Sequence, residues 1–312
     1  MIWKDTYRLG VEPMDKQHFL LFQMVEKLLH SFRLKQTLKQ KNEHIASFKF
    51  MKNYIDKHFS AEEAYMESIQ YSDLSNHRAE HQNFCRMIAY YEKLFQETDY
   101  SIKSVKEFAG LLVSWLTYHV AFVDMKIKEN ASETLPQTIK KEVVEETPPP
   151  AQQESKDLIP KMDNSIFHID CFQKGITSIL EKMFGITSLN VQELTPIPEF
   201  DENCIYSKIS FIYEFEADVI YSFPKEISLQ LFKIMTSFEV NEVDEVVYSA
   251  MAEISNIISG NVSIELADKE CKTDIKPPVV NIGSYEVEES FKNCLCLFVD
   301  SSLGAFHVFI YI

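Results

Sequence analysis

Five histidines and two carboxylates stand at spacings that suit metal ligation. His58 and Glu62 are four residues apart, His77 and His81 likewise, and His18, His119 and Asp124 complete the set. Residues four apart on a helix share one face, one turn up, so each pair can aim two donors at one point. Imidazole nitrogen with carboxylate oxygen suits iron, and carboxylates can bridge two cations. Seven donors are too many for one ion but fit two irons that share bridges and keep a position open. A second pair, Glu253 and Asn256, is three apart and also shares a helix face. On its own that spacing is common on solvated helices.

The elements that must position the seven donors can be read from hydrophobic periodicity. Apolar residues recur at helical spacing in four blocks, near 15–34, 41–68, 75–97 and 101–129, with Ser75 a candidate N-cap for the third. Short connections make successive long helices antiparallel, which predicts an all-α, up-down-up-down four-helix bundle. His18 then starts the first helix, and His58 and Glu62 lie near the end of the second. His77 and His81 start the third, and His119 and Asp124 lie near the end of the fourth. All seven converge at one end of the bundle. The His119–Asp124 spacing is irregular: five residues turn a helix by roughly 500°, leaving Asp124 about 140° round from His119. Asp124 must reach sideways, or the helix must widen locally. His30 and His44 fall at the opposite end and read as ordinary, partly exposed residues.

Together Trp3, Leu9-Gly10-Val11, Asp15-x-Gln17-His18, His58-x-x-x-Glu62, His77-x-x-x-His81 and Trp115-x-x-x-His119-x-x-x-x-Asp124 resemble a bacterial hemerythrin over residues 1–129. The resemblance implies two non-haem irons joined by an oxo or hydroxo bridge, with O2 binding end-on at one of them. It assigns His77, His81 and His119 to one iron, His18 and His58 to the other, and Glu62 and Asp124 to the bridges.

Composition shifts once along the 312 residues. The stretch 132–162 is charged and Pro-rich, with three consecutive prolines at 148–150 and no aromatic residue. Such a segment cannot bury enough surface to fold, and it reads as an interdomain linker. It separates a bundle domain over 1–131 from a second domain over 163–312. In the latter, helical patterns at 164–184, 226–237 and 242–258 alternate with strand patterns at 205–215, 218–223, 294–299 and 305–312. That predicts an α/β (α+β) domain with a largely antiparallel sheet.

Around Glu253 the chain reads Ser249-x-x-x-Glu253-x-x-Asn256-x-x-x-Gly260-Asn261, followed by Pro277-Pro278-Val279-Val280-Asn281-Ile282-Gly283. This resembles the CheC/CheX/FliY chemotaxis phosphatases, CheX in particular because only one such helix is present. The resemblance implies hydrolysis of the aspartyl phosphate of a CheY-like response regulator. Asn256 would position the attacking water, Glu253 would contact the basic group of the regulator's site, and the regulator would supply Mg2+. It also implies a homodimer through this domain.

The net charge of −16 argues against nucleic-acid and anionic-membrane partners. No uninterrupted apolar run reaches the ~18 residues of a membrane span, and no signal-peptide core is visible, so a cytoplasmic protein is expected. The six cysteines form no CxxC pair, and Cys294 and Cys296 fall on one face of a predicted strand. Two readings follow: an oxygen- or redox-sensing protein whose bundle regulates a phosphatase, or a non-enzymatic O2- or iron-binding protein whose second domain only dimerises or docks. A flexible linker has no two discrete arrangements, so regulation requires direct docking of the bundle on the second domain, for instance over Glu253 and Asn256.

Overall fold

The computed structural model describes residues 3–32, 38–133, 165–282 and 294–312. The greater part of the linker, 134–164, and Gly283 therefore lie outside the described residues.

Four long helices, α1 (Glu12–Ser31), α2 (Leu38–Ser68), α3 (Leu74–Glu97) and α4 (Ile102–Tyr118), form the bundle. α4 runs through a π turn, His119–Val123, into α5 (Asp124–Glu133). Ser101 caps α4 by accepting from the backbone N–H of Ser104 at 3.2 Å. The cap position of α3 is Asp73 rather than Ser75, and its side chain makes no capping bond. Asp15 closes the entry loop by accepting from the backbone N–H groups of Leu9 (2.7 Å) and Gly10 (3.2 Å). The bundle core is aromatic: the Phe48, Tyr91 and Phe95 rings all pack on Phe108, which is 1% exposed.

The second domain comprises α6 (Ser165–Phe184), β1 (Leu189–Glu193), β2 (Cys204–Tyr213), β3 (Ala217–Pro224), α7 (Lys225–Thr236), α8 (Glu245–Ala267), β4 (Thr273–Ile275), β5 (Val279–Ile282), β6 (Cys294–Ser301) and β7 (Gly304–Tyr311). Its strands form a sheet in the order β1-β6-β7-β3-β2-β4, with β5 also on β2, and every pairing is antiparallel. α6 and α8 pack side by side, α6 reaching β1 and α8 covering β2 and β4. The opposite face of the sheet buries Cys204, Tyr206, Ile220, Cys296 and Phe309 beneath Leu194 and Phe200. Cys294 and Cys296 are both free thiols. α8 extends nine residues past the expected end at 258, because its C-terminal half keeps burying Val262 and Leu266. β1 and β4 were not expected from sequence: at five and three residues they are too short for period-two alternation to stand out.

The two domains share one hydrophobic core, and their seam is α4 against α8. α4 runs against α8 over more of its length than against any helix of its own bundle. The approach is made at Gly110, where a Cβ would sit 2.0 Å from the carbonyl oxygen of Val246. α4 is accordingly buried over most of its circumference, through Val105, Phe108, Ala109, Leu112, Val113 and Leu116 among others, and keeps only a narrow edge at Lys103 and Glu107 open. The continuous helical segment Ile102–Lys128 is in fact long and apolar enough to cross a membrane by length and composition, although the longest unbroken apolar run is short; most of it is buried within this fold.

Because Phe108 fills the centre of the bundle, Phe108→Ala should cost about 3–5 kcal/mol of stability, read as a fall in the urea midpoint.

Candidate metal centre and the Glu253–Asn256 helix

The four helix ends named above meet in one layer, and all seven sequence-selected donors are there and buried: His18, Glu62 and Asp124 at 0%, His58 and His119 at 1%, His77 and His81 at 2% exposure. They fall into two imidazole groups with the carboxylates between them. On one side His18 Nε2 and His58 Nε2 are 3.1 Å apart. On the other, His81 Nε2 and His119 Nε2 are 3.1 Å apart, with the His77 ring beside both. Asp124 spans the groups, with Oδ2 3.2 Å from His18 and Oδ1 3.1 Å from His119 and 3.5 Å from His77. Glu62 does the same, with Oε1 3.7 Å from His18 and Oε2 3.3 Å from His81 and 3.5 Å from His77. The π turn resolves the irregular His119–Asp124 spacing: the one-residue widening swings Asp124 back onto the face His119 occupies.

The donor chemistry fits cations. Both oxygens of Glu62, both of Asp124, both ring nitrogens of His77 and Nδ1 of His18 and His119 are buried without a hydrogen-bond partner. Buried polar atoms are normally satisfied, and unpaired carboxylate oxygens are the costliest to leave otherwise. Burial, with the neighbouring imidazoles adding to it, drives His18 down to about 3, and burial also holds His119 well below the usual imidazole range. Burial and the nearby Glu62 push Asp124 well above the usual carboxylate range. Neutral imidazoles offer free lone pairs, and a cation would return Asp124 to its charged form.

Two supporting residues were given no role from sequence, although Gln17 stands in the Asp15-x-Gln17-His18 motif. Gln17 Oε1 accepts from His58 Nδ1 at 2.9 Å, and Glu63 Oε1 accepts from His81 Nδ1 at 2.9 Å while Arg78 pairs with the other Glu63 oxygen. Such contacts fix which ring nitrogen faces the centre. Their signal was adjacency, since each immediately neighbours a donor. Aromatic rings fix the imidazole planes: Phe59 stacks on His81 at 3.7 Å and Trp115 on His119 at 4.3 Å. A small, mainly apolar cavity lined by Leu21, Ile55, Phe59, Leu112, Trp115 and Leu116 reaches His58 and His119. Of the two distal histidines, His30 is exposed as expected, against the ring of Phe238. His44 is not: it is 7% exposed, its Nε2 2.8 Å from Ser31 Oγ, because the α1–α2 crossing closes over it.

Glu253 and Asn256 sit in the middle of α8. Asn256 is half-buried and hydrogen-bonds Glu253. Glu253 is 7% exposed, beneath the bundle, with Glu80 and Tyr91 of α3 close enough to interact with it electrostatically. Burial, with Glu80 adding to it against the Asn256 hydrogen bond, pushes Glu253 up to about 8. The sequence placed this pair on an accessible helix face. The structure covers Glu253, because the second side of α8 is occupied by the bundle.

A four-helix bundle with a buried histidine–carboxylate cluster, joined to an antiparallel α/β domain built round one long helix, defines a two-part class of protein. Comparison with known proteins agrees with both parts. Residues 9–131 match the family described as hemerythrin HHE cation binding domain, and residues 205–300 match chemotaxis phosphatase CheX. The bacteriohemerythrin of Clostridium acetobutylicum is 28% identical over 120 residues, 38% of this chain and 92% of that protein. The CheY-P phosphatase CheX of Thermotoga maritima is 35% identical over 69 residues, 22% of this chain and 44% of that protein, so the match spans less than half of it. The crystal structure of chemotaxis protein CheX from Vibrio vulnificus aligns with 46% of this chain and 98% of that one, at 18% identity and a TM-score of 0.42. The chain thus joins an N-terminal hemerythrin-like domain to a C-terminal domain like the chemotaxis phosphatase CheX.

The raised Glu253 carboxyl has a consequence for stability. The folded protein keeps this proton up to about pH 8, whereas the unfolded chain releases it above 4.5. The stability it contributes is full below pH 4.5 and is lost as pH rises towards 8. Glu253→Gln should therefore gain stability relative to wild type between pH 5 and pH 8, read by urea unfolding at each pH.

Proposed function

We propose that the bundle is a di-iron sensor and that the second domain is a response-regulator phosphatase under its control. The observation that carries the first half is the paired arrangement of five buried imidazoles about two spanning carboxylates with unpartnered oxygens. His77, His81 and His119 would hold one iron, His18 and His58 the other, and Glu62 and Asp124 would bridge them. Bound iron supplies reversible binding of O2 or a related small oxidant. The protein's part is to fix the donors through Gln17, Glu63, Phe59 and Trp115, to exclude water, and to offer an apolar approach beside His58 and His119.

For the second half, the support is the CheX family match together with the Glu253–Asn256 pair on one long helix. The proposed substrate is the aspartyl phosphate of a CheY-like regulator, which brings its own Mg2+. The Asn256 amide can both accept from and donate to a water, so it would hold that water in line with phosphorus. As the new P–O bond forms, the acyl P–O bond breaks, releasing phosphate and the regulator's carboxylate. Glu253 would engage a basic side chain of the regulator and fix register. The placement of 1–131 as sensor, 132–162 as tether and 163–312 as effector belongs to the same proposal.

The purified protein should hold close to two irons per chain and bind O2 when reduced. His77→Ala should lose iron and His44→Ala should not, measured by metal analysis. One iron per chain, or tightly held zinc in its place, would sink the di-iron reading.

The chain should accelerate phosphate release from a phosphorylated CheY-like protein, at a rate that differs between its iron states. Asn256→Ala should remove most of that activity with the fold intact. Undiminished activity in the variant would show that Asn256 does not hold the water.

A further inference from the structure

The contacts between α4 and α8 follow a stripe. On α4 the stripe is Lys106, Gly110, Ser114 and Tyr118, each four residues from the next. Lys106 Nζ pairs with Asp244 at 2.7 Å and Glu245 at 3.7 Å. Gly110 lies against Val246 and Ala250, Ser114 Oγ donates to the Ala250 carbonyl at 3.3 Å, and Asn261 Nδ2 donates to Tyr118 Oη at 3.2 Å. Positions 246, 250, 253, 257 and 261 of α8 fall within an arc of about 80°. Glu253 is midway along the strip that α4 and the neighbouring α3 cover but at one angular edge of it, and Asn256 is about 60° further round, outside the arc.

A side chain that must touch a basic group on another protein has to be reachable by that protein. Glu253, 7% exposed and neutral-leaning under the bundle, is not. A regulator that reached both Glu253 and half-buried Asn256 would have to enter the edge of the strip that α4 and α3 cover.

We infer that α4 is an intramolecular occupant of the regulator-binding face of α8, so that the docked chain is the silent form of the phosphatase and activity requires α4 and α8 to part. This rests on the phosphatase reading proposed above and states how that activity is withheld. Three features make the contact releasable. Its outer end is a partly exposed ion pair, at 21% and 32%. Its centre buries a carboxyl near a second one, which costs the docked state free energy. The roughly thirty residues joining α5 to α6 can span at most about 100 Å, enough to keep parted domains tethered. α4 ends at Tyr118 and runs directly into His119, so the mask and the candidate metal centre lie on one continuous helical segment.

The test uses the full-length, iron-loaded chain and two variants, Gly110→Leu, which wedges the close approach, and Lys106→Glu, which sets a third carboxylate against Asp244 and Glu245. Two readouts are compared: carbodiimide labelling of Glu253, scored by mass spectrometry against the exposed Glu270, and phosphate release from a phosphorylated receiver protein. Hydrogen exchange of β2 and β3 reports that the α/β fold is kept; should Gly110→Leu not fold, Lys106→Glu carries the comparison. Wild-type Glu253 should resist labelling, and the variants should label it and release phosphate at least tenfold faster for Gly110→Leu and about threefold faster for Lys106→Glu. Wild-type Glu253 labelling as readily as Glu270 overturns the mask. So does a measurable wild-type rate that stays within twofold when Glu253 becomes reactive. No phosphate release from any form, with Glu253 reactive in the variants, removes the phosphatase reading and the mask with it.

Discussion

The close approach of α4 to α8 is the contact on which the rest of the molecule turns. Gly110 has no Cβ, and the two backbones meet where one would stand. Through that contact a bundle helix becomes a core helix of the whole chain, with aromatic packing on one side and α8 on the other. α8 in turn is the helix that covers β2 and β4 and carries Glu253 and Asn256. A change in the position of α4 therefore reaches the ligand layer at His119 and the polar pair on α8 without any intermediary. Coupling between sites needs elements with discrete packed arrangements, and two apposed helices supply one.

The ligand layer is organised by the opposite logic. It is a set of converging imidazole nitrogens and carboxylate oxygens, many of which, including both oxygens of Glu62 and of Asp124, have no hydrogen-bond partner. Such a cluster is tolerated inside a core only where a cation can answer it. The surroundings hold the donors stiffly, by ring stacking from Phe59 and Trp115 and by hydrogen bonds from His58 to Gln17 and His81 to Glu63. The π turn at His119–Val123 is the one departure from regular helix in the layer, and it is what lets two donors five apart serve one centre.

Much of this was legible in the sequence. Ligand-type residues at four-residue spacing, placed by periodicity at alternate ends of antiparallel helices, were enough to bring all seven donors to one layer, since helical geometry and short loops leave little freedom. The need for a local widening before Asp124 followed from the same arithmetic. The bundle, the antiparallel α/β domain and the compositional break between them were readable because each rests on local pattern. Less legible were Gln17 and Glu63, whose part depends on which ring nitrogen they meet, and the short strands β1 and β4, whose pairing partners lie far along the chain.

What the sequence determined by itself was the convergence of five histidines and two carboxylates in one layer and the two fold classes, because these follow from residue type and period. What only the tertiary structure decided was the relation between the halves. The apolar excess of α4 carried a trace of it, since a helix with so narrow a polar edge needs cover on most sides, but periodicity cannot say what supplies that cover. Nor could it say that Glu253, on a helix face that reads as accessible, lies buried beneath the bundle. Burial is a property of what packs on a face, and that is set by contacts between residues more than a hundred positions apart, such as Ser114 with Ala250.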